Sequence, residues 1–164
     1  MAQTPHDAAE SLYTVMPRAI TLDLLSEYGL EVTADQARHV TQEALCLSFY
    51  WIRSALHAKL RPGDAARVLT ELERCIAAGW KDFDLEGYDP STVLREAWSK
   101  HAAYDQIVQE GGSPIAVFGE SAGGLEFSGV VAGGERQKLL ALFIDVVPVE
   151  TFGELMETLD LADS

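Results

Sequence analysis

The stretch "ALCLSFYWIRSAL", residues 44–56, decides the fold because its apolar side chains fall on nearly every face of a helix. Upstream, Thr33 and Gln36 form a capping-box pair, which predicts that this helix begins there and runs to about Leu60. A helix that is apolar all round is buried on all sides. The sequence therefore predicts a central helix with the rest of the chain packed around it.

Proline, glycine and capping residues divide the remaining chain into further helices. We predict helices over residues 5–15, 18–28, 62–79, 90–111 and 135–146, and a last one opening at the capping-box pair of Thr151 and Glu154. Glycine-rich residues 113–134 favour a β-hairpin instead, in which "PIAVF" and "LEFSGVV" are strands joined by "GESAGG". The predicted fold is mainly α: a single-domain bundle over residues 1–164 with six to seven helices. Its C-terminal segment, residues 113–164, contains a small hairpin near residues 115–131.

Composition restricts the function. Twelve Lys and Arg against 26 Asp and Glu give a formal net charge of −14. This charge disfavours direct binding to nucleic acid or to anionic membranes and favours a basic partner. The longest strongly apolar run, residues 44–52, is too short to span a bilayer. With Cys46 and Cys75 interpreted as reduced thiols, we predict a cytoplasmic protein without a cofactor.

One face of the central helix is polar. His39, Glu43, Cys46, Tyr50, Arg53 and His57 are spaced alternately four and three residues apart, which aligns them along the helix. Such a row indicates either a seam whose polar ends reach water or a groove for a ligand or partner. We therefore take His39, Glu43, Tyr50, Arg53 and His57 as candidate binding residues.

Residues 119–124, "GESAGG", contain the pattern G-x-S-x-G. They resemble the nucleophile elbow of the carboxylesterase and hormone-sensitive lipase families of the α/β-hydrolase superfamily. The resemblance implies that Ser121 is a nucleophile and that the Ala122 N–H donates to an oxyanion. In those families the catalytic histidine follows the serine in the chain, whereas all four histidines here precede Ser121. Without a base, a serine hydroxyl is a weak nucleophile.

An acidic loop, "DFDLEGYDPSTV" at residues 82–93, resembles the calcium loop of EF-hand proteins. The resemblance implies that Asp82, Asp84 and Glu86 are ligands. The twelfth position, where the family has a bidentate glutamate, is Val93. We therefore expect no strong metal site and take these three residues as weak candidates only.

Three functional hypotheses follow. The leading one is a non-catalytic acidic binding or adaptor protein, of the immunity, chaperone or regulatory-subunit type. Its partner would be another protein, and the acidic charge favours a basic one. The first alternative is a serine hydrolase that uses Ser121. The second is an acidic nucleic-acid mimic that occupies the basic groove of a DNA-binding protein. The sequence does not predict an oligomeric state.

Overall fold

The computed structural model describes residues 2–161, and within this range the regular structure is helical. A short 3-10 turn, Trp80–Phe83, follows the fourth helix. In chain order the α-helices are α1 Pro5–Val15, α2 Leu22–Glu27, α3 Ala34–Lys59, α4 Pro62–Ala78, α5 Pro90–Gln109, α6 Pro114–Phe127, α7 Arg136–Val146 and α8 Val149–Glu157. The prediction of a mainly α fold is confirmed.

The predicted starts of α1, α3 and α5 are confirmed. Two others are wrong, because α2 begins at Leu22 and not at residue 18, and α8 begins at Val149, so that the predicted capping box of Thr151 and Glu154 lies inside that helix. At the start of α3, Thr33 Oγ1 accepts the Gln36 N–H at 3.1 Å, and Gln36 Oε1 accepts the Thr33 N–H at 2.8 Å. Thr4 forms the equivalent box with Asp7 before α1, and Asp89 caps α5. Each cap satisfies backbone donors that a helix N-terminus leaves without partners.

The predicted hairpin near residues 115–131 is wrong. Residues 114–127 form α6, and no β-strand occurs in residues 2–161, where the one β-bridge joins Gln3 to Leu161. Glycine lowers helix propensity by about 1 kcal/mol relative to alanine, but burial of an apolar face offsets this cost. The buried side chains of that face are Val117, Phe118, Ala122 and Leu125.

Two of the glycines in α6 face the first residue of α7, and the contact is tight at Gly123 only. A Cβ atom at Gly123 would lie 3.2 Å from Cζ of Arg136, the first residue of α7, and one at Gly119 would lie 3.5 Å from Nη2 of the same side chain. The Arg136 guanidinium therefore packs along the glycine face of α6. This contact lies between separate helices, so local propensity does not reveal it.

Helix α3 is central, as predicted. Residues 44–50 are all buried, and α2, α4, α5, α6 and α8 each pack against α3. Helix α1 packs against α4 and α8, while α7 packs on α6. No helix in residues 2–161 has the length and apolar character needed to cross a membrane.

Gly124→Ala tests whether residues 114–127 are helical. Gly124 is an exposed position inside α6, and a Cβ there meets nothing within 4 Å. We expect the substitution to raise the free energy of unfolding by about 0.5–1 kcal/mol, since alanine favours helix. Chemical denaturation measures the change. In a hairpin loop the same change would not stabilise the protein.

The matched control is Gly129→Ala. Gly129 follows α6 and has a φ of 82°, a conformation that L-residues adopt at a cost. We expect this variant to lose about 1–2 kcal/mol. If Gly124→Ala destabilised the protein as much as Gly129→Ala, the helical assignment of residues 114–127 would be contradicted.

Candidate binding groove

The polar stripe of α3 divides into two parts. Glu43 and His39, in the N-terminal half of the helix, face a groove bounded by α5 and α6. Tyr50 and Arg53, further along, bond to Asp105 of α5. His57 is exposed near the C-terminal end of α3. The five candidate binding residues therefore do not line one common surface.

The Asp105 contacts close the seam between α3 and α5. Tyr50 Oη donates to Asp105 Oδ1 at 2.9 Å, and Arg53 Nη1 lies 3.4 Å from Oδ2 of the same carboxylate. Burial of the phenol, together with its hydrogen bond to Asp105, raises the pKa of Tyr50 to about 12. The phenol thus stays protonated and remains a donor at neutral pH. These contacts join α3 to α5.

Glu43 joins three helices through its carboxylate. Ser121 Oγ, on α6, donates to Glu43 Oε2 at 2.5 Å, and the Lys100 ammonium, on α5, pairs with Oε1. Burial would lower the pKa of Lys100, but the neighbouring negative groups, led by Glu43, raise it above its ordinary value. Lys100 is therefore a permanent cation at neutral pH, and it cannot act as a base toward Ser121.

Around Glu43 lies what we call the α3/α5/α6 groove. It consists of a cleft of about 540 Å³ and an adjoining one of about 290 Å³, which share Glu43, Lys100, Leu125 and Ser128. Apolar surface comes from Val93, Leu125 and Val130. The carboxylates that line the groove are Glu43, Asp89, Glu96 and Glu120, against the single ammonium of Lys100.

Ser121 does not occupy a nucleophile elbow. An elbow places its serine on a sharp turn from strand to helix, whereas Ser121 lies within α6 and is only 5% exposed. Its hydroxyl donates to the Glu43 carboxylate. No histidine in residues 2–161 forms a hydrogen bond with Ser121. Gly123 of the motif lies against Arg136 of α7, and the serine provides a bond to α3.

The acidic loop is organised around an indole. Trp80 Nε1 donates to the backbone oxygens of Leu85 and Tyr88, at 3.0 and 3.1 Å. Asp82, Asp84 and Glu86 are all exposed, while Phe83 and Leu85 between them are buried. Within residues 2–161, no three His, Cys, Asp or Glu side chains gather as they would around a metal ion.

Sequence reasoning missed Lys100 and the buried environment of His101. Glu96, Lys100 and Tyr104 recur every four residues on α5, a spacing that could have indicated a polar row. His101 is 3% exposed, and neither ring nitrogen has a hydrogen-bond partner. The rings of Phe49, Tyr50 and Trp98 surround it, with centroids 5.0–5.8 Å away.

No protein-family model, no curated protein and no solved structure matches this chain. What the groove can do follows from its side chains. Carboxylates beside apolar carbon can hold a cationic group that carries an aliphatic stem.

Ser121 should not react with a fluorophosphonate probe. The hydroxyl is buried and donates to Glu43, and no histidine is bonded to it to remove its proton. Intact-mass spectrometry after incubation should show unmodified protein, with an active serine esterase as the positive control. Stoichiometric labelling that Ser121→Ala abolishes would contradict this expectation and support the hydrolase hypothesis.

Protonation of His101 should destabilise the fold in acid. Burial, with a smaller contribution from Arg53, lowers the pKa of His101 from 6.5 to about 4. Between these values the unfolded chain binds a proton that the folded chain excludes, so stability is full above pH 6.5 and falls as pH decreases towards 4. Denaturation curves recorded across this window measure the slope.

His101→Phe should flatten that slope, because it removes the titrating group from the aromatic cluster. His57→Phe, at an exposed position of α3, is the control and should leave the slope unchanged. An identical pH dependence in wild type and His101→Phe would show that His101 does not carry the effect.

Proposed function

We propose that this protein is a non-catalytic binding protein, and that the α3/α5/α6 groove holds a basic segment of a partner protein. The observation that carries the proposal is the charge of the groove. Four carboxylates line it against one ammonium, and that ammonium already pairs with Glu43. A lysine or arginine of the partner would therefore meet carboxylates with no competing free cation in the groove.

The form of the groove also suits such a side chain. Val93, Leu125 and Val130 offer apolar surface beside the acids. Lysine and arginine pack their methylene stems on apolar surface while the charged head reaches a polar partner. Glu96 and Glu120 are exposed, so they are available to a partner that approaches from solvent.

The recess favours this function over nucleic-acid mimicry. A mimic presents carboxylates at phosphate-like spacing on an open surface that fits into a basic groove. Here Glu43 has a side chain only 14% exposed, and both of its oxygens already have partners. The groove is therefore better suited to receive a side chain of a partner than to fit into the basic groove of a DNA-binding protein.

Selection from a random peptide display library tests the proposal. The immobilised protein should enrich peptides that carry lysine or arginine next to an apolar residue. Glu96→Lys combined with Glu120→Lys should abolish binding of the enriched peptides, because the two changes reverse the charge at the rim of the groove. Fluorescence anisotropy with one labelled peptide measures the loss.

The matched control combines Glu154→Lys with Glu157→Lys. These exposed acids lie on α8, outside the groove, and give the same change in net charge. Peptide binding should survive in this variant at elevated salt. Equal loss in both double variants would mean that net charge, and not the groove, determines binding, and would overturn the proposal.

A further inference from the structure

A second cleft lies between the C-terminal half of α4 and the first turns of α5. It has a volume of about 440 Å³, within the range of about 300–1,000 Å³ that is typical of small-molecule sites. Its α5 residues, Leu94, Arg95 and Trp98 among them, differ from those of α5 that line the α3/α5/α6 groove. The cleft and the α3/α5/α6 groove are therefore lined by different faces of α5.

Trp98 is held in a fixed orientation beside this cleft. Its Nε1 donates to Glu73 Oε1 on α4 at 2.8 Å, and its ring packs edge-to-face on Phe49 with centroids 5.3 Å apart. The side chain is nevertheless 37% exposed. A ring that is both fixed and accessible can stack on a planar ligand with little loss of conformational entropy.

Two arginines and one glutamate line the cleft, so its lining carries a formal charge of +1 in a chain whose net charge is −14. Arg95 is exposed and, within residues 2–161, has no carboxylate at ion-pair distance. Arg74 is 70% exposed and bonds Glu71 through one nitrogen at 2.5 Å. The one acid that lines the cleft, Glu73, accepts the indole N–H of Trp98. Arg95 is thus free to bind an external anion.

We propose that this cleft binds a small aromatic carboxylate. The ring of the ligand stacks on Trp98 and packs on Leu94. Its carboxylate pairs with the guanidinium of Arg95 and with the N–H donors of Arg74 that do not bond Glu71. Arginine suits this ligand because its planar fork of N–H donors matches both oxygens of a carboxylate. Both the ring and the charge are required, so neither an aromatic cation nor an aliphatic acid fulfils the requirement.

NMR of the three indole N–H resonances tests this site, with Trp98→Phe used to assign the Trp98 signal. On titration with 2-naphthoate, the Trp98 resonance should shift and saturate at millimolar ligand. Arg95→Gln should raise the dissociation constant by about tenfold, because it removes one charge-assisted contact. Arg61→Gln, at an exposed arginine outside the cleft, is the matched control and should bind as wild type does.

Three results would overturn the proposal: no saturable shift of the Trp98 resonance, an equal shift with 2-naphthylmethylamine, or unchanged affinity in Arg95→Gln. Cyclohexanecarboxylate should bind more weakly than 2-naphthoate, and equal affinity would exclude stacking on Trp98. Circular dichroism shows whether Arg95→Gln is folded. Arg95→Gln should also retain peptide binding in the α3/α5/α6 groove. Loss of naphthoate binding in the cleft can therefore be distinguished from loss of peptide binding in the groove.

Discussion

Burial of the middle of α3 on every side is the constraint on which the rest of the structure depends. Residues 44–50 contribute an unbroken run of buried side chains, and a run of this kind needs cover from several directions. Five other helices pack against α3. Each CH₂ group removed from water contributes about 0.8 kcal/mol, so the packing of these helices on α3 stabilises their arrangement. The neighbouring helices in turn determine where polar groups of α3 can find partners.

The polar side chains of α3 bond to neighbouring helices and line the α3/α5/α6 groove. Tyr50 and Arg53 reach Asp105 and join α3 to α5. Glu43 bonds to Lys100 and Ser121 and lines the α3/α5/α6 groove. The same face of one helix therefore serves as a structural seam along one part and as the base of a groove along another. The difference arises from the neighbouring helices and not from α3 itself.

The capping-box pair of Thr33 with Gln36 made the start of α3 predictable, because a cap acts within one turn, whereas the same pattern at Thr151 and Glu154 lies inside α8. The hairpin prediction failed because the glycines of α6 were interpreted by local propensity alone. Their contact with Arg136 comes from another helix. In the same way, residue spacing could align His39 with His57 on one face of α3, but it could not predict which part of that face α5 covers.

Native-state hydrogen exchange of the α3 amides tests the central claim most directly. If the middle of α3 is the common core, amides 44–50 should be the slowest to exchange, with an opening free energy equal to that of global unfolding. Amides of the peripheral helix α7 should exchange through smaller openings. Faster exchange in residues 44–50 than in α7 would contradict the account, because a helix against which five others pack cannot open while they remain folded.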